Sequence, residues 1–97
     1  MTLVERIRAM NLSSSQRTFT QEQLNENYYA RILTDSFNAL QNEDGLKGYD
    51  NQWTKEEALE NEANKFINAL LELSLQATTM VGIDRKIKCI VHEFQSK

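Results

Sequence analysis

The sequence predicts an all-α fold: a small helical bundle built on an antiparallel hairpin of two long helices, with short N- and C-terminal helices. Three observations support this fold class. The 97 residues contain no proline and only three glycines, so the strongest helix breakers are nearly absent. Apolar residues recur at the helical period in four segments. Two of these segments begin with the residues of a helix capping box. At this length we expect residues 1–97 to form one helical domain.

The first helical segment is short and covers about residues 2–10. Leu3, Ile7 and Met10 fall on one face of it, as a short amphipathic helix requires. The stretch NLSSSQRT that follows is predicted to be a linker. Its three consecutive serines favour hydrogen bonds between side chain and backbone over helix formation.

The second segment begins at FTQEQL and is expected to continue as one helix to about residue 41. Thr20 is the predicted N-cap, and Gln23 completes a capping box with it. Phe19 and Leu24 occupy the two positions of a hydrophobic staple. Two apolar stripes then cover roughly half of the helix surface. The second stripe contains Tyr29, Leu33, Phe37 and Leu40.

The third segment follows a predicted loop at residues 42–52 and begins at WTKEEA. Thr54 and Glu57 form a second capping box there. Apolar residues then alternate at spacings of four and three, which is the pattern of a heptad seam. Gly82 is the predicted stop of this helix. The seam consists of Leu59, Ala63, Phe66, Leu70, Leu73, Ala77 and Met80.

The fourth segment repeats the same spacing with Ile83, Ile87, Ile90 and Phe94, and Asp84 is its candidate N-cap. Its β-branched residues would also suit a strand. A lone strand would have no sheet partner elsewhere in the chain, so we predict a helix.

The leucines of KFINALLELSLQATTMVGI are too dense for one face of a helix. Those outside the seam form a second apolar stripe, and a helix apolar on two sides must be covered on two sides. These residues could all be core within one compact chain. The interpretation we favour is that one such stripe, on the third or the second helix, meets a second copy or a partner protein. The candidate interface residues are Ile67, Leu71, Leu75, Tyr29, Leu33 and Phe37.

Basic residues give an alternative hypothesis. The net charge is only −3, and no dense cluster of lysine and arginine is present. If the bundle brings the ends of the chain together, however, their cations could bind phosphate or the backbone of a nucleic acid. The residues concerned are Arg17, Arg85, Lys86 and Lys88.

Two motifs in the sequence have spacings that occur in catalytic or metal sites. Cys89 and His92 stand at i, i+3, but a nucleophile pair also needs an oxyanion site and an orienting acid, so a buried thiol and a surface imidazole are favoured. Glu57 and Glu60 have the E-x-x-E spacing of magnesium-binding helical pyrophosphatases, but no second acidic pair follows. They suit the positive end of a helix dipole instead. We therefore predict no catalytic residue, no metal site and no cofactor.

The setting is expected to be the cytoplasm. One cysteine cannot form an internal disulfide, which suits a reducing compartment. Glu5, Arg6 and Arg8 stand where the apolar part of a signal peptide would begin, and no apolar stretch is long enough to span a membrane.

The function predicted from the sequence is that of a small interaction protein. It would be a regulator, an inhibitor or an assembly adaptor that acts by binding and not by turnover, with a protein partner, a second copy of itself, or both. A nucleic-acid-binding regulator and a small-ligand or nucleotide-binding protein with a site between subunits are the two alternatives.

Overall fold

A computed structural model describes residues 2–14, 17–42, 46, 53–76 and 83–96 of the chain. No strand occurs among these residues, so the predicted all-α class is confirmed and the fourth segment is a helix. The described helices are α1 (Leu3–Arg8), α2 (Gln21–Glu26), α3 (Tyr28–Gln41), α4 (Lys55–Gln76) and α5 (Asp84–Gln95).

Both predicted capping boxes are present. At the start of α2, the Thr20 hydroxyl accepts a hydrogen bond from the Gln23 N–H at 3.2 Å, and Gln23 Oε1 accepts one from the Thr20 N–H at 2.9 Å. At the start of α4, Thr54 Oγ1 accepts from the Glu57 N–H at 3.1 Å, and Glu57 Oε1 accepts from the Thr54 N–H at 3.4 Å. These bonds satisfy backbone donors that the first turn of a helix leaves open.

The prediction of a single helix from about residue 20 to residue 41 is wrong, because this segment forms two helices that are separated at Asn27. The Asn27 backbone is extended, with φ −121° and ψ 111°. Its side-chain Oδ1 accepts hydrogen bonds from the N–H groups of Tyr29 and Ala30, at 3.0 and 3.1 Å, and so starts a new helix. The apolar period continues across the break through Leu24 and Ile32, which is why periodicity alone predicts one helix.

The start of α5 also differs from the prediction. Asp84 is the first residue of the helix, and Ile83 occupies the N-cap position without a side-chain cap. The predicted stop at Gly82 and the last two seam residues, Ala77 and Met80, lie outside the described residues.

The core forms where α3 packs against α4, and α1 and α5 close over it. Phe66 of the heptad seam is fully buried, and its ring centroid lies 6.2 Å from that of Phe37 on α3. The seam is therefore the core face of α4. The largest fully buried apolar side chains are Phe66, Ile7, Leu33, Leu40, Leu73, Ile87 and Ile90.

Replacement of Asn27 by Ala tests the helix break. The change removes the acceptor that caps the first turn of α3, so we expect the free energy of unfolding to fall by about 1–2 kcal/mol. Urea unfolding followed by circular dichroism measures it. Asn38→Ala is the matched control, because Asn38 is exposed within α3 and its loss should change stability by no more than about 0.5 kcal/mol. Equal stabilities of the two variants would contradict the capping role.

Candidate interaction surface

Two leucines of α4 project into solvent. Leu71 is 58% exposed and Leu75 is 77% exposed, whereas Phe66, Leu70 and Leu73 of the seam are buried. Ile67, the third residue predicted for this stripe, is partly buried and packs against the core. The exposed apolar surface of α4 therefore centres on its last turns, at Leu71 and Leu75.

The exposed leucines continue a longer stripe that changes character along α4. At 100° per residue, its six exposed positions lie within about 80° of one another and roughly opposite the seam. The stripe begins with two acids, continues with two neutral amides and ends with the two leucines. We call it the α4 stripe, and it consists of Glu57, Glu60, Asn64, Asn68, Leu71 and Leu75.

The other predicted interface group packs inside the chain. Leu33 has no exposed surface, while Tyr29 and Phe37 are partly buried against the core. A side chain fully enclosed by its own chain has no surface left for a second molecule. Leu33 is therefore unavailable to a second molecule, whereas Tyr29 and Phe37 keep part of their surface exposed.

The four predicted basic contact residues divide into two pairs. Arg17 and Lys86 bond within the chain, whereas Arg85 and Lys88 are exposed. Arg17 Nη1 lies 2.9 Å from Glu93 Oε2 in an ion pair and donates a hydrogen bond to the Asn11 carbonyl at 2.9 Å. This pair joins the segment after α1 to the last turns of α5.

Lys86 makes a second connection of the same kind. Its Nζ donates to the Thr18 carbonyl at 2.7 Å and to Gln23 Oε1 at 3.0 Å, and it lies 6.0 Å from the centre of the Phe19 ring. The same Gln23 oxygen belongs to the capping box of α2. Lys86 therefore fastens the start of α5 to the start of α2.

The two ends of the described chain do come together. Arg6 Nη2 donates to the Phe94 carbonyl at 3.1 Å, and its guanidinium lies 4.4 Å from the centre of the Phe94 ring. This contact between the two ends does not leave Arg6, Arg17 and Lys86 free to form a basic patch, because each of them bonds within the chain. Sequence reasoning missed these contacts, since they join residues more than 60 positions apart.

A groove of about 280 Å³ lies between the segment after α1 and the outer side of α3. Apolar side chains, including Leu12, Phe19 and Phe37, form much of its lining. Thr34 and Asn38 supply polar groups. Its size is near the lower end of the range for pockets that hold small ligands.

The residues of the two chemical motifs differ in exposure. Cys89 is half-buried, and His92, Glu57 and Glu60 are exposed. Within the described ranges, no group of three or more His, Cys, Asp or Glu side chains is placed to hold a metal ion. None of the helices in those ranges has the length and apolar character needed to cross a membrane.

Comparison of the chain with models of known protein families, with curated proteins and with solved structures gave no match.

Replacement of Lys86 by Met tests whether this cation is a structural connection. The change keeps the aliphatic stem but removes two hydrogen bonds, so we expect a loss of about 1 kcal/mol in the free energy of unfolding, allowing for partial exposure. Lys88→Met removes the same charge from an exposed position and should change stability by less than about 0.5 kcal/mol. Urea unfolding measures the free energy of unfolding of both variants. An equal loss in the two would show that the hydrogen bonds of Lys86 do not stabilise the fold.

Proposed function

We propose that this protein is a small interaction module that acts by binding, as a regulator, an inhibitor or an assembly adaptor, and that it self-associates through the α4 stripe. The observation that carries the proposal is the exposure of Leu71 and Leu75, at 58% and 77%, on successive turns of one helix. Residues at i, i+4 are neighbours on a helix surface, so the two leucines form one continuous apolar patch. Apolar patches rimmed by polar residues are typical of protein interfaces.

The energetics favour a modest affinity. Full burial of an exposed leucine side chain contributes about 1.5–3 kcal/mol; because Leu71 and Leu75 are already partly buried, four leucines from two copies contribute less than four times this value toward the roughly 4–15 kcal/mol that association costs. Neighbouring residues such as Ile67 and Asn68 would add contact area. We therefore expect a dimer that dissociates on dilution.

The antiparallel hairpin predicted from the sequence would enlarge this patch. Phe37 of α3 contacts Phe66 of α4. If the two helices are antiparallel, a residue some number of positions before Phe37 lies level with the residue the same number of positions after Phe66. Tyr28 is nine residues before Phe37 and Leu75 is nine residues after Phe66, so this register places them level with each other. Tyr28 is 63% exposed, so an antiparallel pair would have a large exposed aromatic residue at the same end as the leucines.

Charged side chains would orient two approaching molecules. The first turns of α4 carry exposed Glu56, Glu57 and Glu60, and the start of α5 carries exposed Arg85 and Lys88. Opposite charges on separate surfaces favour some orientations of two molecules over others. The single cysteine supports the expected cytoplasmic setting, because such a chain needs no disulfide.

The double substitution Leu71→Glu and Leu75→Glu tests the proposal. It places two charges in the apolar patch and should weaken self-association by at least tenfold, while circular dichroism shows a helical fold of unchanged cooperativity. Molar mass from light scattering across a range of concentrations measures the association. Asn25→Glu with Gln95→Glu is the control, since it adds two charges at exposed helical positions away from α4.

Two results would contradict the proposal. Wild-type protein that remains monomeric at millimolar concentration does not self-associate. A double variant that unfolds would instead show that the two leucines stabilise the chain itself.

The groove supports a second candidate function, the binding of a small apolar ligand. Its lining combines apolar walls with Thr34 and Asn38. A ligand that binds only the native state raises the melting temperature, and above its dissociation constant the stabilisation grows with the logarithm of the ligand concentration. We expect short-chain alcohols and indole to raise the melting temperature of the wild type. The rise should be smaller in Thr34→Leu, because the larger leucine side chain reduces the volume of the groove. Unchanged melting of both proteins would remove this candidate.

A further inference from the structure

We propose that the groove between α3 and the segment after α1 binds an uncharged aromatic compound, and that one polar group of this compound hydrogen-bonds to Thr34 and Asn38. The inference rests on the second candidate function and adds to it the chemical class of the ligand and the residues that recognise it. The apolar walls of the groove, its polar side chains and its charges each contribute one part of this assignment.

The walls of the groove suit a single aromatic ring. Two phenylalanines line it, Phe19 just before α2 and Phe37 on α3, and Leu12 and Leu24 add aliphatic surface. Aromatic rings that meet in offset or edge-to-face arrangements are stabilised beyond the area they bury. The volume of about 280 Å³ is near the lower end for ligand pockets, which favours a one-ring compound over a larger one.

Thr34 and Asn38 are the polar pair that the ligand would contact. They stand at i, i+4 on α3, so their side chains are neighbours on the helix surface, and both line the groove. Within the described part of the chain, neither the Thr34 hydroxyl nor the Asn38 carboxamide makes a hydrogen bond. Since the pair offers both donors and acceptors, a ligand hydroxyl can accept from Thr34 while it donates to Asn38 Oδ1.

The two other hydroxyl groups of the groove already donate within the segment after α1. Thr18 Oγ1 bonds to the carbonyls of Leu12 and Ser14, at 2.7 and 3.0 Å. Ser13 Oγ donates to Asn11 Oδ1. These hydroxyls hold the wall in its conformation, so recognition of a ligand falls to the pair on α3.

The charges around the groove favour a neutral ligand. Among the described residues that line it, Arg17 is the one with an ionisable side chain. Its charge is balanced, because Nη1 lies 2.9 Å from Glu93 Oε2 and also donates to the Asn11 carbonyl. An anion that took Arg17 would leave the Glu93 carboxylate without this partner, and a cation would lose its hydration without gaining a carboxylate from these walls.

A pair of ligands that differ by one group tests the hydrogen bonds. Benzyl alcohol and ethylbenzene have nearly the same shape, but only benzyl alcohol has a hydroxyl group. Thr34→Val, which keeps the shape of the side chain, and Asn38→Ala should each weaken the binding of benzyl alcohol about three- to tenfold, as expected for one hydrogen bond. The binding of ethylbenzene should change by no more than about twofold, since it makes no such bond.

Amide chemical shifts followed by NMR during the titration give the dissociation constants and show which residues the ligand contacts. Asn64→Ala is the control, because it removes the same amide group from an exposed position of α4 outside the groove. This variant should bind both compounds as the wild type does.

Charged analogues test the neutrality of the ligand. Benzoate and benzylammonium have the same ring with a negative or a positive group at neutral pH. Each should bind the wild type at least about tenfold more weakly than benzyl alcohol, because a charge that leaves water without gaining a partner is unfavourable. Tighter binding of benzoate than of benzyl alcohol would mean that Arg17 recognises an anion, and it would overturn the neutral class.

The remaining outcomes separate this inference from the function on which it rests. Benzyl alcohol binding of equal strength in the wild type, Thr34→Val and Asn38→Ala overturns the recognition by hydrogen bonds, while the groove still binds small compounds. An equal loss for benzyl alcohol and ethylbenzene also overturns it, because the substitutions then act through the shape of the groove. Failure of all four compounds to bind overturns the second candidate function itself.

Discussion

The packing of α3 against one face of α4 is the constraint on which the rest of the structure depends. Phe66 is at its centre, fully buried and in contact with the ring of Phe37. A straight helix can direct only one side toward a given neighbour, so the choice of the seam as the core face leaves the opposite side of α4 to solvent or to another molecule. The exposure of Leu71 and Leu75 follows from that choice.

The shorter helices α1 and α5 bury isoleucines in the same core and are also held by long cationic side chains that reach backbone carbonyls. Arg8 Nε donates to the Leu40 carbonyl at 2.6 Å, close to the end of α3, where helical carbonyls have no partner within the helix. Lys86 and Arg6 make the same kind of contact to Thr18 and Phe94. Arg6, Arg8 and Lys86 therefore help to fix the positions of α1 and α5.

Local signals in the sequence were sufficient for much of this fold. The two capping boxes depend on residues three positions apart, and the seam depends on a helical period, so both are readable from neighbours along the chain. Asn27 could have been recognised as a break, because asparagine is a favoured N-cap and is a weak helix former. The periodicity concealed the break, because the apolar residues before and after Asn27 fit the same helical repeat.

The candidate surface was predictable only in part. Counting apolar stripes identified more leucines on α4 than one face can bury, but it could not decide between that stripe and Tyr29, Leu33 and Phe37. Burial depends on which helix covers which face, and that is settled by contacts between distant parts of the chain. The ion pair of Arg17 with Glu93 was invisible for the same reason.

The concentration of the leucines on a single patch would also limit how far the proposed assembly can proceed. A molecule that pairs with an identical patch on its neighbour has no equivalent patch left over, so growth ends with the first partner. Had the apolar residue and its receptor been on different faces, each addition would have exposed a fresh site and a filament could have formed. If the protein self-associates through the α4 stripe as proposed, the position of Leu71 and Leu75 on one helix makes a closed pair the end point.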